Sequence, residues 1–284
     1  MRIKNHRNGN EYLQTTSGIW VRNFAKTSNC QDINTLIQKK DFSVFLNNET
    51  ANNSHKSLQI DDLKIEHPNV IIISDGYNFE EKQKIIGKLP KGQIAVLAVN
   101  SALRKWDLSH KGAINYYVVN NPYQECLSYL PTKHSYFPKC ITSTRTYHKF
   151  IEKYRGHLYR YVPVPQRDYK GTGAGCAYRI DDYRNPICAA IGLAFHFGVT
   201  KLLLMCCDDS FEDNRPGAEK LENELYMYPQ HHTAHDIIDG NLYWLRNQEM
   251  IDVEIKDHSC GPKYANAAYI QEEDIYEFFN IEGA

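Results

Sequence analysis

The chain has 284 residues, 42% hydrophobic and 24% charged, with 33 Lys and Arg against 34 Asp and Glu for a formal net charge of -1. This composition excludes disordered, collagen-like and coiled-coil chains, and a chain of this length buries a core without disulfide or metal staples. The charge balance removes the basic field of a nonspecific nucleic-acid binder, so no nucleic-acid partner is expected. Cys30, Cys126, Cys140, Cys176, Cys188, Cys206, Cys207 and Cys260 include no C-x-x-C pair and read as scattered reduced thiols. The start, Met1 to Asn10, has no apolar signal core, and no apolar run approaches the roughly 20 residues that span a bilayer. A cytoplasmic protein without a transmembrane segment is expected, with homo-oligomerisation left open.

Residues 1–41 carry little pattern. Phe42 to Leu46 reads as a short strand, and the Asn-rich Asn47 to Lys56 as a surface loop. Val70 to Ile73 is a β-branched strand that stops at Ser74-Asp75-Gly76, with a helix from Phe79 to Lys88 behind it. Ile94 to Val99, closed by Asn100-Ser101, repeats the layout with a helix from Ala102 to Trp106, and Tyr116 to Val119 ends at Asn120-Asn121-Pro122. A helix is expected over Tyr147 to Tyr154 and a strand over Leu158 to Val162; Gly171 to Gly175 reads as a mobile lid. A helix from Asp182 to Phe197 carries Pro186 in its first turn and ends at Gly198. Lys201 to Cys206 is the strongest strand; after a polar span come a helix over Thr233 to Gln248, a strand at Ile251 to Ile255 and a helix at Glu272 to Phe279. Strands apolar throughout, with helices between them, predict an α/β fold on a parallel sheet.

In such a sheet ligands gather beyond the carboxyl ends of the strands, near the point where strand order reverses. That rule selects Ser74, Asp75, Gly76, Asn78, Asn100, Ser101, Asn120, Asn121, Asp208, Asp209 and Ser210 as hydrogen-bonding groups for a sugar, ribose or base, although the same residue types also make ordinary turns. The first turn has neither G-x-G-x-x-G nor a Walker Lys, against an NAD dehydrogenase or P-loop enzyme. Asp208 and Asp209 suit Mg²⁺, a ribose or an acceptor hydroxyl; either one also suits a cap. His231, His232 and His235 form the densest titratable cluster, and no third ligand accompanies His231 and His235 for zinc. A histidine near pKa 6.5 is suited to take a proton from a hydroxyl nucleophile. Tyr77, Tyr123, Tyr178, Tyr183, Tyr226 and Tyr228 are candidates to stack on a base or reach a phosphate, and Arg145, Arg179, Arg184 and Arg215 to meet an anion.

In order, these pieces resemble the Rossmann-like family of MptE-type 6-hydroxymethylpterin diphosphokinases, motility accessory factors that modify flagellin, and bacterial lipooligosaccharide sialyltransferases. The resemblance runs from Val70 to Phe279: Val70 to Asn78 is similar to the strand and G-x-G-P-S turn, Ile94 to Trp106 to the second strand and N/D-x-A-L turn, and Asn185 to Ser210 to the helix, Gly turn and strand ending in G-x-D. Gln230 to Asp236 resembles the sialyltransferase stretch with the catalytic histidine, which places His231 in that role. The turn lacks the second glycine and the Pro-Ser, and Cys207 replaces the glycine before the acidic residue. The resemblance implies helices on both faces of a mostly parallel Rossmann-like sheet, with a nucleotide-binding transferase domain over 70–284 behind an N-terminal extension over 1–69.

It implies transfer of a sugar of the sialic-acid type from a nucleotide-activated donor to a small-molecule or glycan acceptor, with no cofactor required. Asn78, Asn100 and Ser101 would hold the nucleotide, His231 or His232 would be the general base, Asp208 or Asp209 would organise acceptor or ribose, and Tyr226 or Tyr228 would neutralise the leaving phosphate. The alternatives are a diphosphokinase with Mg²⁺ held by Asp208 and Asp209, against which the first turn offers no Lys, and a non-catalytic nucleotide-binding or structural protein.

Overall fold

The computed structural model describes residues 3–5, 11–14, 20–22, 43–63, 67–106, 114–130, 137–163, 179–180, 185–221, 223–246 and 253–281. The chain divides into two compact units, Met1–Phe45 and Leu46–Ala284. In the first, β1 (Ile3–Asn5), β2 (Glu11–Gln14) and β3 (Trp20–Arg22) form an antiparallel sheet in that order. The larger unit begins at Leu46, inside the stretch read from the sequence as the N-terminal extension.

That unit is built on β4 (Leu58–Gln59), β5 (Asn69–Ile73), β6 (Ala95–Val99), β7 (Tyr116–Val119), β8 (Lys139–Ser143), β9 (Leu158–Pro163), β10 (Arg179–Ile180) and β11 (Lys201–Met205). A separate antiparallel hairpin, β12 (Glu219–Lys220) with β13 (Tyr226–Met227), occupies the polar span, and β14 (Glu254–Asp257) and β15 (Ala268–Tyr269) return to the main sheet. The main sheet runs β10-β9-β8-β7-β6-β5-β11-β14-β15, with β4 beside β9, and every pairing in it is parallel. The chain steps outward from β5 to β9, then crosses back to lay β11 on the other side of β5. The order therefore reverses between β5 and β11, where the sequence placed Ser74 to Asn78 and Cys206 to Asp209.

Alternate residues of the strands bury on opposite faces. Val70, Ile72, Leu202 and Leu204 pack under α5 (Pro186–His196) and α6 (Pro229–Arg246). Ile71, Ile73, Leu203 and Met205 pack under α2 (Phe79–Lys88), α3 (Ala102–Lys105), α4 (His148–Lys153) and α7 (Ile275–Phe278). This is the expected α/β Rossmann-like architecture, a parallel sheet between two helical layers. Asn185 caps α5 by accepting from the Ile187 and Cys188 N–H groups at 2.8 and 3.3 Å, Pro186 fills the first turn, and Gly198 leaves the helix at φ 71°. Among the described residues no helix is long and apolar enough to cross a membrane.

Two expectations need correction. Residues 43–53 form a helix, α1, not a strand followed by a loop. Its Asn48 amide donates to the carbonyls of Pro122 and Arg145 at 2.8 and 3.1 Å, and Asn52, one turn later, donates to those of Thr144 and Thr146 at 2.9 and 2.8 Å. Buried carbonyls beyond β7 and β8 need these amides, and that demand overrides the turn preference of Asn. Strand β8, Lys-Cys-Ile-Thr-Ser, lacks the apolar run by which the other strands announce themselves, yet Thr142 and Ser143 are buried in it. The Gly171 to Gly175 lid, Tyr178, Tyr183 and Arg184 lie outside the described residues.

Candidate active site

The β5–β11 pairing continues past both strand ends, with Ser74 N–H donating to the Met205 carbonyl at 3.1 Å and Gly76 N–H to the Cys206 carbonyl at 3.2 Å. An added Cβ at Gly76 would stand 2.7 Å from the Cys206 oxygen and 2.8 Å from Asp208 Oδ1, so only glycine lets the turn approach β11 this closely. Asn78 then enters α2 at φ 60° without a side-chain cap, which leaves the first-turn N–H groups without that acceptor. The Asn78 amide lies 3.7 Å from Cys260 Sγ, beyond β14.

The turn after β6 meets the turn after β5. Ser101 Oγ donates to Asp75 Oδ2 at 2.7 Å, and Lys105 Nζ sits 3.0 Å from the same oxygen and 3.1 Å from the Asp75 carbonyl. Asn100 adopts φ 47°, its carbonyl accepts from Tyr117 OH at 2.6 Å, and its Oδ1 is buried with no hydrogen-bond partner among the described residues. A buried acceptor left open in this way fits a ligand donor. One strand further out, Asn121 is committed locally, to Tyr129 OH at 3.1 Å and Tyr123 N–H at 2.9 Å, and Asn120 is buried.

The two aspartates after β11 are in different circumstances. Asp208 is buried, and its two oxygens accept the N–H groups of Ser210 and Gly261, which ties the β11 and β14 ends together. Asp209 sits at φ 52°, and burial pushes its carboxyl up to about 6, with Asp75 and Asp208 adding to the rise and His231 opposing it. Ser210 Oγ, next in the chain, is buried with no partner among the described residues.

The structure also separates the histidines. His231 lies in the first turn of α6 with Nδ1 3.2 Å from the Asp209 carbonyl. A carbonyl can only accept, so Nδ1 carries the hydrogen and Nε2 presents a lone pair. The Tyr228 ring stands edge-on to His231, centroids 5.5 Å apart, and packs on Phe211, whose backbone pairs with Tyr226. His232 turns outward, 3.4 Å from Glu219 on the hairpin. His235 stacks on Tyr264 and meets the Pro262 carbonyl at 3.0 Å.

Two lysines escape a reading that looks for them only inside the first turn. One is Lys105. The other, Lys82 on α2, is buried with Nζ 2.7 Å from Nε2 of His258, beyond β14, and His258 Nδ1 donates to the Ile270 carbonyl at 2.8 Å. Burial lowers the His258 pKa, so the imidazole stays neutral and Nε2 accepts from the ammonium. Among the described residues no carboxylate pairs with Lys82. Sequence spacing offers no signal for a contact 176 residues apart.

Burial pushes up the thiols of Cys206 and Cys207, as it does those of Cys126 and Cys140, so these four are protonated and poor nucleophiles. Among the described residues no three or more His, Cys, Asp or Glu side chains form a group that could hold a metal ion. Asp257, at the end of β14, is fully buried, and burial pushes its carboxyl up to about 6 while Oδ2 has no partner among the described residues. The folded state thus holds this proton more tightly than the unfolded chain, and stability falls as pH rises from about 4 to 6. Asp257→Asn is expected to remove a penalty of about 3 kcal/mol at pH 7.5 and only about 0.5 kcal/mol at pH 4. Urea unfolding at the two pH values measures the difference; equal effects at both would contradict it.

No protein-family model matches the chain, and no curated protein does. The fold is similar to that of the MAf glycosyltransferase from Magnetospirillum magneticum AMB-1, with a TM-score of 0.60 at 14% identity, over 82% of this chain and 38% of that one. The chain thus spans well under half of that protein, and what the two share is the α/β Rossmann-like fold.

Proposed function

We propose that the protein is a glycosyltransferase that moves a sugar of the sialic-acid type from a nucleotide-activated donor to a hydroxyl of a small-molecule or glycan acceptor. The observation that carries this reading is His231, whose Nδ1 is held on the Asp209 carbonyl so that Nε2 is the free base beside the strand-order reversal. The acceptor hydroxyl gives its proton to Nε2 and its oxygen bonds to the anomeric carbon. The bond from that carbon to the donor phosphate breaks, and its electron pair leaves with the phosphate. Asp209, ionised above about pH 6, steadies the imidazolium that results. Asn78, Asn100 and Ser101 hold the nucleotide, and Tyr226 or Tyr228 closes on the phosphate.

Lys82 adds a buried positive charge with no carboxylate partner among the described residues, close to the uncapped start of α2, and suits the charge that builds on the leaving phosphate. Lys82→Met is expected to lower kcat/KM for the donor about tenfold or more, the worth of one charge-assisted hydrogen bond, in steady-state kinetics. An unchanged kcat/KM would remove Lys82 from the phosphate site.

Lys82 and Lys105 also favour a second reading, a diphosphokinase that uses ATP and Mg²⁺, because they supply the lysines absent from the first turn. Its proposed donor set fits less well, since both oxygens of Asp208 already accept backbone N–H groups. Melting temperature against CMP, UDP, GDP and ATP, with and without Mg²⁺, tells the readings apart, since a ligand of the native state raises it by mass action. Stabilisation by a sugar-carrier nucleotide without metal is expected. A shift only with ATP and Mg²⁺ would replace the glycosyl-transfer reading, and no shift would point to a non-catalytic protein.

A further inference from the structure

A second concave site lies at the other end of the sheet. A cavity of about 280 Å³ forms where residues 55–58 run into β4 and residues 154–158 run into β9. These strands are parallel, so the cavity opens at their N-terminal ends, opposite to the carboxyl-end cleft at β5 and β11. Two of its lining residues carry stranded polar atoms: His55 Nδ1 and Ser57 Oγ are buried and have no hydrogen-bond partner among the described residues. Two open hydrogen-bonding groups in one cavity are costly to keep and call for an occupant that answers both. Lys56 and His157 also line the cavity, and among the described residues no carboxylate does. An ammonium, a hydroxyl and two imidazoles, supplied to one cavity lining by two chain segments, suit a tetrahedral oxyanion, which has more acceptor positions than a carboxylate.

The remaining wall is apolar, formed by Leu58, Leu158 and the Tyr154 ring. Tyr154 is fixed there, with its OH donating to the Pro138 carbonyl at 2.5 Å and its ring edge-on to Phe137. Gly156 completes the fit, because a Cβ at that position would meet both Tyr154 Cε1 and Phe137 Cβ at 2.8 Å. The volume is near the lower end of the roughly 300–1,000 Å³ typical of ligand pockets, too small for a whole nucleotide.

We propose that this cavity binds a small phosphomonoester, with the phosphate held by Ser57, His55, Lys56 and His157 and the carbon skeleton laid against Leu58 and Tyr154. The site stands apart from the glycosyl-transfer reading and survives its failure.

The test titrates the full chain with ribose 5-phosphate, inorganic phosphate, ribose and acetate at constant ionic strength. It reads melting temperature together with the imidazole nitrogen signals of His55, His157 and His231. Ribose 5-phosphate is expected to raise the melting temperature and move the His55 and His157 signals while leaving His231 in place, with inorganic phosphate weaker and the other two inert. Ser57→Ala and Lys56→Met, the latter at an exposed side chain that does not threaten folding, are each expected to weaken binding about tenfold. Binding unaffected by both variants would put the anion elsewhere and overturn the proposal. So would inorganic phosphate binding as tightly as the sugar phosphate, or no response at about 10 mM, a concentration at which even a weak native-state ligand stabilises measurably.

Discussion

His231→Ala is expected to lower the rate of glycosyl transfer about 10²- to 10⁴-fold, the usual worth of a positioned general base, while nucleotide affinity stays within about twofold. The base takes the acceptor proton and does not touch the nucleotide, so kcat falls and donor binding does not. The neighbouring histidine is the control. His232 is exposed beside Glu219 on the hairpin, and His232→Ala should change the rate by less than about twofold, as surface ion pairs contribute little. Single-turnover transfer with the two variants, together with calorimetric binding of the nucleotide, makes the comparison. An active His231→Ala enzyme would overturn the assignment, and an inactive His232→Ala enzyme would move the role by one residue.

Gly76→Ala is expected to cost about 3 kcal/mol of stability or more, the upper range for overpacking. The atom in the way is the Cys206 carbonyl oxygen, 2.7 Å from the added methyl, and backbone in the middle of a sheet cannot turn aside as a side chain would. Relief requires parting the ends of β5 and β11, which also spoils the cleft. Gly240→Ala supplies the contrast. It lies inside α6 with nothing within 4 Å of the added Cβ, and the change should stabilise by about 0.5–1 kcal/mol through helix propensity. Urea unfolding of both variants measures the pair, and a Gly76→Ala protein as stable as the parent would contradict the close approach.

The parts of the fold legible in the sequence are those fixed by local chemistry. Val70 to Ile73 and Leu202 to Met205 are apolar on both faces because helices cover both faces, and α5 carries its Asn cap and first-turn proline at its start and a glycine just past its end. The site was legible to the extent that the carboxyl-end rule brought Asp75 and Ser101 together, 2.7 Å apart. Elements held by distant polar contacts were not. The Asn-rich α1 is a helix because carbonyls some 74 to 97 residues away require its amides, and β8 is a strand because its neighbours bury its hydroxyls. Residue types alone could not divide the labour among paired candidates. Asp208 and Asp209 are adjacent, yet one is enclosed by backbone N–H groups and the other supports the histidine ring with its carbonyl.

Incubating the protein in EDTA with CMP-, UDP- and GDP-sugars and a mixture of glycan acceptors, and measuring nucleotide release by chromatography, decides whether it transfers a glycosyl group. One nucleotide, CMP for a sialic-acid type donor, is expected to be released by the parent protein but not by His231→Ala. Release that is equal in both proteins, or turnover of ATP to AMP only when Mg²⁺ is restored, would contradict it.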